Sequence, residues 1–214
     1  EDLIEDLETV MNLYKRYKTK YIENRITFDN IEDKVKYIKR YIESLGFNYP
    51  DGLIENFYLS LKTKPFVLLA GISGTGKTKL VKLFAKALGC TTDNGRFKLI
   101  PVKPDWSDGS DLLGYNDLKS KFQPGPMIDI IKKASENKEN PYFICLDEMN
   151  LARVEYYFSD FLSIMESREK RGDLIKTDKL LEKTDFSKDV DKEKYAGLRI
   201  PDNLYIVGTV NMDE

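Results

Sequence analysis

Between Phe66 and Thr78 the chain reads FVLLAGISGTGKT, an apolar run passing into a glycine-rich loop that ends in Lys-Thr. Gly71, Ile72, Ser73, Gly74, Thr75, Gly76, Lys77 and Thr78 have the spacing GxxxxGK[ST], and the residue types suit the gripping of a triphosphate. Glycine at positions 71, 74 and 76 lets the backbone curl so that N–H groups face phosphate oxygens. Lys77 reaches the β- and γ-phosphates, and the Thr78 hydroxyl ligates Mg²⁺. A helix starting here adds its positive end. A plain glycine turn between two core elements would use similar letters, but the flanks favour the phosphate loop. Phe66 to Ala70 is unbroken apolar sequence, as expected of a parallel strand covered on both faces. Leu80, Val81, Leu83, Phe84, Ala87 and Leu88 then recur at helical spacing, with Gly89 as a C-terminal cap.

Hydrolysis needs an acidic residue for the metal and a group that prepares water. Residues 142–146, YFICL, form a second apolar strand that runs into Asp147 and Glu148. Asp147 at the strand end is suited to hold Mg²⁺ through its water shell. Glu148 is suited to polarise the attacking water as general base. Asn211 closes a later strand, residues 204–210, where a neutral amide bonds water or the γ-phosphate without cancelling the charge of Glu148. A solvated acidic turn and a turn asparagine are the plainer readings of these features. Their order after the glycine loop favours chemistry.

Elements must carry these loops to one place. From Phe66 onward strands and helices alternate, which predicts an α/β fold with a parallel sheet flanked by helices. Residues 96–102 read as a strand, 129–134 as part of a helix beginning after Pro124-Gly125-Pro126, and 150–168 as one long helix. Residues 169–199, dense in Lys, Asp and Glu with little periodicity, predict a surface insertion, partly mobile. Upstream, Leu3, Leu7, Val10, Tyr14, Tyr17 and Tyr21 mark an amphipathic helix. Ile31, Val35, Ile38, Ile42 and Leu45 mark a second, stopped by Gly46. A third starts at Asp51 as N-cap and buries Leu53, Phe57 and Leu61. The expected organisation is an N-terminal helical segment, 1–45, followed by a core, 46–214.

Composition narrows the chemistry. A formal net charge of −2 gives no global basic field for nucleic acid. No apolar run approaches the roughly 20 residues that span a bilayer, and the acidic start EDLIEDLE is unlike a signal or transit peptide; a cytoplasmic location is expected. There is no histidine, and Cys90 and Cys145 are the two cysteines. That excludes a Cys/His zinc site and histidine acid–base chemistry. Cys145 reads as a small core residue.

With glycine loop, Asp147-Glu148 and Asn211 in this order, the chain resembles an AAA+ P-loop NTPase. Ser110-Asp111-Leu112-Leu113-Gly114, Phe122-Gln123-Pro124-Gly125-Pro126 and Asp147-Glu148-Met149-Asn150-Leu151-Ala152 look like the branch containing MoxR, midasin, dynein and McrB-type proteins. KPDWSDGSDLLGYND, LDEMNLARVEYYFSDFLSIMESR and IPDNLYIVGTVNMDE are similar to the McrB-type motors of modified-cytosine restriction systems. The resemblance runs from roughly Leu45 to the C-terminus. It implies one hairpin within 114–127 and another within 171–201. It also implies a homo-oligomeric ring, a hexamer, that hydrolyses ATP or GTP with Mg²⁺ and activates a McrC-type nuclease subunit. DNA would be contacted only through a domain absent here. Where McrB proper has Asn-Thr-Ala-Asp-Arg, this chain reads Asn211-Met212-Asp213-Glu214, which favours ATP. An AAA+ module continues past the sensor strand to an arginine finger and a helical lid. The expectation is therefore that the C-terminal lid is absent and that the fragment turns over weakly or not at all alone. The alternative is a MoxR- or midasin-like protein-remodelling ATPase. A non-hydrolytic nucleotide switch is disfavoured by the joint presence of Asp147 and Glu148. Arg153 is expected at the surface or in an ion pair rather than acting across subunits. Phe47 and Tyr49 are expected to pack in the core rather than meet a base, and Trp106 to pack its own segment; Tyr156 and Tyr157 fit either packing or contact.

Overall fold

The computed structural model describes residue 28 and residues 30–64, 66–171 and 174–212. The first predicted helix, around residues 3–21, lies outside them. In chain order the elements are α1 (Ile31–Ser44), α2 (Leu53–Thr63), β1 (Phe66–Gly71), α3 (Lys77–Ala87), β2 (Phe97–Pro101), α4 (Ser110–Leu113), β3 (Gly114–Asn116), β4 (Phe122–Pro124) and α5 (Ile128–Glu136). There follow β5 (Tyr142–Asp147), a 3₁₀ turn (Met149–Leu151), α6 (Val154–Tyr157), α7 (Ser159–Glu166), β6 (Glu169–Arg171), β7 (Leu174–Lys176), a second 3₁₀ turn (Lys183–Asp185), α8 (Asp189–Tyr195) and β8 (Leu204–Asn211).

Four strands form a parallel sheet in the order β1-β8-β5-β2. The last strand thus inserts between the strand of the glycine loop and the strand of Asp147-Glu148. On β5 the side chains alternate between two cores. Tyr142, Ile144 and Leu146 join α5, α6 and α7 on one face, while Phe143 and Cys145 join α1, α2 and α3 on the other. Burying side chains of this size is worth about 1.5–3 kcal/mol each, which is why so apolar a run is tolerated only at the centre of the sheet. Burial also pushes the Cys145 thiol up to about 12, so it remains a neutral core residue. Among the described residues no helix is long and apolar enough to cross a membrane.

Several elements depart from the expectation. Strand β1 is not covered on both faces, since Leu68 is 50% exposed, and among the described residues it pairs with β8 alone. An apolar run reports what a strand can bury, whereas its neighbours decide what it does bury. Helix α2 starts at Gly52 rather than Asp51, because the turn into it needs a left-handed residue (φ 80°). Asp51 instead accepts from Lys39 Nζ at 3.1 Å.

The long helix expected over 150–168 is three pieces. Arg153 is extended, and Phe158 separates α6 from α7. Tyr157 and Phe158 are consecutive yet both buried, and the Tyr157 hydroxyl donates to the Met149 carbonyl at 3.0 Å. Packing two adjacent aromatics inward costs the helix its continuity.

The region 169–199 is not a structureless insertion either. It contains the β6–β7 hairpin, a 3₁₀ turn and α8, and it sends Leu180, Leu181, Phe186 and Tyr195 into the main core. Phe122 of β4 packs edge-on to Phe186 and tilted against Tyr195, with ring centroids 4.9 and 5.2 Å away. The buried Asp191 carboxylate accepts the Phe122 N–H at 3.0 Å. A handful of apolar residues in a highly charged segment suffices when a hairpin offers them a surface. Both expected hairpins are present, β3–β4 within 114–124 and β6–β7 beginning two residues earlier than anticipated.

Candidate active site

The glycine loop leaves β1 at Gly71 and enters α3 at Lys77. Gly74 and Gly76 take φ of 78° and 83°, a backbone that side-chain-bearing residues adopt only at a cost. Ile72 is 66% exposed on the loop. The first turn of α3 carries no acidic residue, so nothing there offsets the positive helix end. Lys77 Nζ donates to the carbonyls of Gly71 and Ile72, each at 2.8 Å, which folds the ammonium over the loop. Thr75 Oγ1 closes the turn on the Ile72 carbonyl at 2.8 Å. Ser73 lies exposed between them.

Two strands away, β5 delivers Asp147 to the same place. The Thr78 hydroxyl donates to Asp147 Oδ1 at 2.5 Å. The Thr209 hydroxyl donates to that oxygen at 2.8 Å and accepts the Glu148 N–H at 3.0 Å. Glu148 has a left-handed backbone (φ 54°, ψ 55°), so the chain turns sharply off β5 and its carboxylate swings toward β8. There Asn211 Nδ2 donates to Glu148 Oε1 at 2.9 Å. The tip of β8 is tied to the glycine loop as well, through Met212 N–H to the Gly71 carbonyl at 3.0 Å.

Thr78 and Asp147 therefore present a hydroxyl and a carboxylate oxygen side by side at the start of a helix beside an ammonium. Mg²⁺ prefers hard oxygen ligands and usually takes one or two from the protein and the rest from water and phosphate. This donor set fits a magnesium–triphosphate.

Gly208 allows the close approach behind the site. A Cβ there would collide with the Met149 sulfur and come within 2.9 Å of the Phe66 ring. The turn carrying Glu148 consequently packs on β8 through the Met149 side chain, which sits over Gly208.

Thr209 is a residue that sequence reasoning missed. It is 1% exposed and stands two positions before Asn211. Strand alternation puts both on one face, and a lone hydroxyl in LYIVGTV was the available signal. Replacing Thr209 by valine keeps the shape but strands the Glu148 N–H and removes a donor from Asp147. The expected result is a loss of about 1–3 kcal/mol of stability, read as a lower urea midpoint at unchanged slope.

The remaining aromatic and basic candidates separate cleanly. Phe47 and Tyr49 are partly buried and pack against the core that holds α1, α2 and α3, as expected. Tyr49 donates from its hydroxyl to the Gly76 carbonyl at 3.4 Å, and the Phe47 ring sits 4.6 Å from Lys79 Nζ. Both thus lie against the glycine loop and its helix. Trp106 packs edge-on to Tyr157 at 5.3 Å. Tyr156 is exposed and carries Arg153 over its ring at 5.5 Å, with an Arg153–Tyr156 hydrogen bond of 3.1 Å.

A glycine loop between β1 and α3, acidic residues at the tip of β5 and a polar tip on the strand between them define a P-loop NTPase of α/β architecture. The chain belongs to the AAA domain family (dynein-related subfamily), whose profile matches residues 66–213. It is also similar to the "Type IV methyl-directed restriction enzyme EcoKMcrB subunit" of Escherichia coli (strain K12), 25% identical over 164 residues. That match covers 76% of this chain and 34% of the relative, so the chain spans about a third of the relative's length. The likeness to McrB-type AAA+ proteins read from the motifs is borne out by both.

Proposed function

We propose that this chain is the nucleotide-hydrolysing core of an AAA+ motor. Gly71 to Thr78 grip the triphosphate, Thr78 and Asp147 hold Mg²⁺, Glu148 activates water, and Asn211 orients water or the γ-phosphate. When bound, Mg²⁺ would supply positive charge that offsets the charge developing on the phosphate. The carrying observation is the convergence of the Thr78 and Thr209 hydroxyls on one oxygen of Asp147, with Asn211 on Glu148 alongside. Three chain segments far apart in sequence meet at the C-terminal ends of neighbouring parallel strands, where ligands bind in open α/β sheets.

ATP is the favoured nucleotide, with GTP the alternative, since this chain reads Asn211-Met212-Asp213-Glu214 where McrB proper has Asn-Thr-Ala-Asp-Arg. By likeness to the relative, the motor works as a homo-oligomeric ring, a hexamer, in the cytoplasm and activates a McrC-type nuclease subunit. DNA contact belongs to a separate domain, and the division into 1–45 and 46–214 is part of the same proposal.

A protein-remodelling role of MoxR or midasin type is the second reading. The dynein-related family match favours it equally, because that match covers the shared core rather than any cargo-binding part. Titration with ATP and with GTP, each with Mg²⁺, tests the site. Saturable ATP binding that needs the metal supports the reading, and no binding of either nucleotide overturns it. Co-purification with a McrC-type nuclease separates the restriction motor from the remodelling ATPase.

A further inference from the structure

Backbone pairing between β5 and β8 stops at Leu146 opposite Gly208, three residues short of the end of β8. Beyond that point β5 has turned away through the left-handed Glu148. The last residues of β8 would face open backbone on that side, yet Asn150 fills the place of the missing strand. Its Nδ2 donates to the Asn211 carbonyl at 3.0 Å, and its Oδ1 accepts the Asn211 N–H at 3.3 Å. A carboxamide has the same donor–acceptor pair as a peptide unit, so Asn150 acts as a one-residue strand.

The result is a closed circuit. Asn211 is held by its backbone to Asn150 and by its side chain to Glu148, and Asn150 follows Glu148 by two residues in one 3₁₀ turn. The turn itself is pinned from the far side by Tyr157 on the Met149 carbonyl. On its other flank, Met212 N–H is fixed to Gly71 of the glycine loop.

We propose that Asn150 is a positioning residue for nucleotide hydrolysis: its carboxamide replaces the β5 ladder at the tip of β8 and sets the Asn211–Glu148 pair. This rests on the functional reading above. Asn150 touches neither nucleotide nor metal in that reading, and it acts through Asn211.

The test compares steady-state hydrolysis of Mg-ATP by the full-length protein with that of Asn150→Ala, Asn211→Ala and the double variant. Asn150 is exposed, so its truncation leaves the core intact; Asn150→Asp, which keeps an acceptor for the Asn211 N–H but sets a carboxylate oxygen against the Asn211 carbonyl where Nδ2 donated, is a second, harsher variant. Small misplacements of reacting groups cost up to about a hundredfold, so kcat of Asn150→Ala should fall about ten- to a hundredfold with KM little changed. Asn150→Asp should fall at least as far as Asn150→Ala. In the Asn211→Ala background the second substitution should change kcat by less than about twofold, since neighbours acting through one another are non-additive. Unchanged kcat in Asn150→Ala, or fully additive losses in the double variant, would overturn the inference alone. Absence of turnover by the unaltered full-length protein would instead overturn the functional reading and this inference with it.

Discussion

Glu148→Gln is expected to lower hydrolysis by about two to four orders of magnitude, the usual contribution of a positioned general base, while Mg-nucleotide binding persists. The structure makes this substitution unusually clean. Glu148 contributes Oε1 as acceptor to Asn211 and its backbone N–H as donor to Thr209. Glutamine retains a carbonyl oxygen for the first contact and leaves the second untouched, so the left-handed turn has no reason to move. What disappears is the negative oxygen that, in the proposed mechanism, takes a proton from water. The measurement is single-turnover hydrolysis beside a binding titration on the same preparation. Equal losses of binding and turnover would indicate a disturbed pocket rather than a missing base, and turnover within a few-fold of the unaltered protein would remove Glu148 from the mechanism.

Lys77→Ala is expected to act at the other end of the reaction coordinate, on binding itself. Lys77 is half-buried, with its ammonium folded over the Gly71 and Ile72 carbonyls at 2.8 Å. It is therefore already in the loop that would receive the phosphates. A charge-assisted hydrogen bond is worth about 1.5–3 kcal/mol, and each 1.4 kcal/mol is about tenfold in affinity. Loss of about ten- to a hundredfold in Mg-ATP affinity follows, seen by calorimetry. Because the alanine variant keeps the Thr78–Asp147 and Thr209–Asp147 contacts, its thermal midpoint without nucleotide should lie close to that of the unaltered protein. The separation matters: Glu148→Gln is expected to bind without turning over, whereas Lys77→Ala is expected to fail before chemistry begins.

Much of this site was legible from residue types and spacing. The glycine loop and the Lys77-Thr78 pair are chemical requirements that few other residues meet, so they survive as a local pattern. Asp147 and Glu148 follow an apolar run whose burial is forced, since Tyr142 to Leu146 have nowhere to go but the sheet centre. Asn211 lay at the end of another such run. Helix α3 likewise followed from its periodicity, with every predicted apolar position buried and Gly89 left-handed just after the helix.

Contacts between elements were another matter. Nothing local in Thr209 says that its hydroxyl bridges Asp147 and the Glu148 N–H, because the bridge exists only once β8 lies beside β5. The same holds for Asn150, which as sequence is one polar residue in a stretch patterned like a helix. Helical propensity over 150–168 was real, but burying Tyr157 beside Phe158 and turning the chain at Glu148 outweighed it. Strand β1 looked like an interior strand and stands at the edge of the described sheet. In residues 169–199 charge density hid the few side chains that reach the core.

Short-range rules such as steric freedom at glycine, alternation along a strand and the chemistry of a lysine beside a hydroxyl act within a few residues, and those features could be read directly. Strand order, the Asn150 clasp and the double duty of Thr209 depend on groups some sixty residues apart finding one another. Such pairings are selected by the packing of the whole sheet, where desolvated donors must meet acceptors, and no local pattern encodes them.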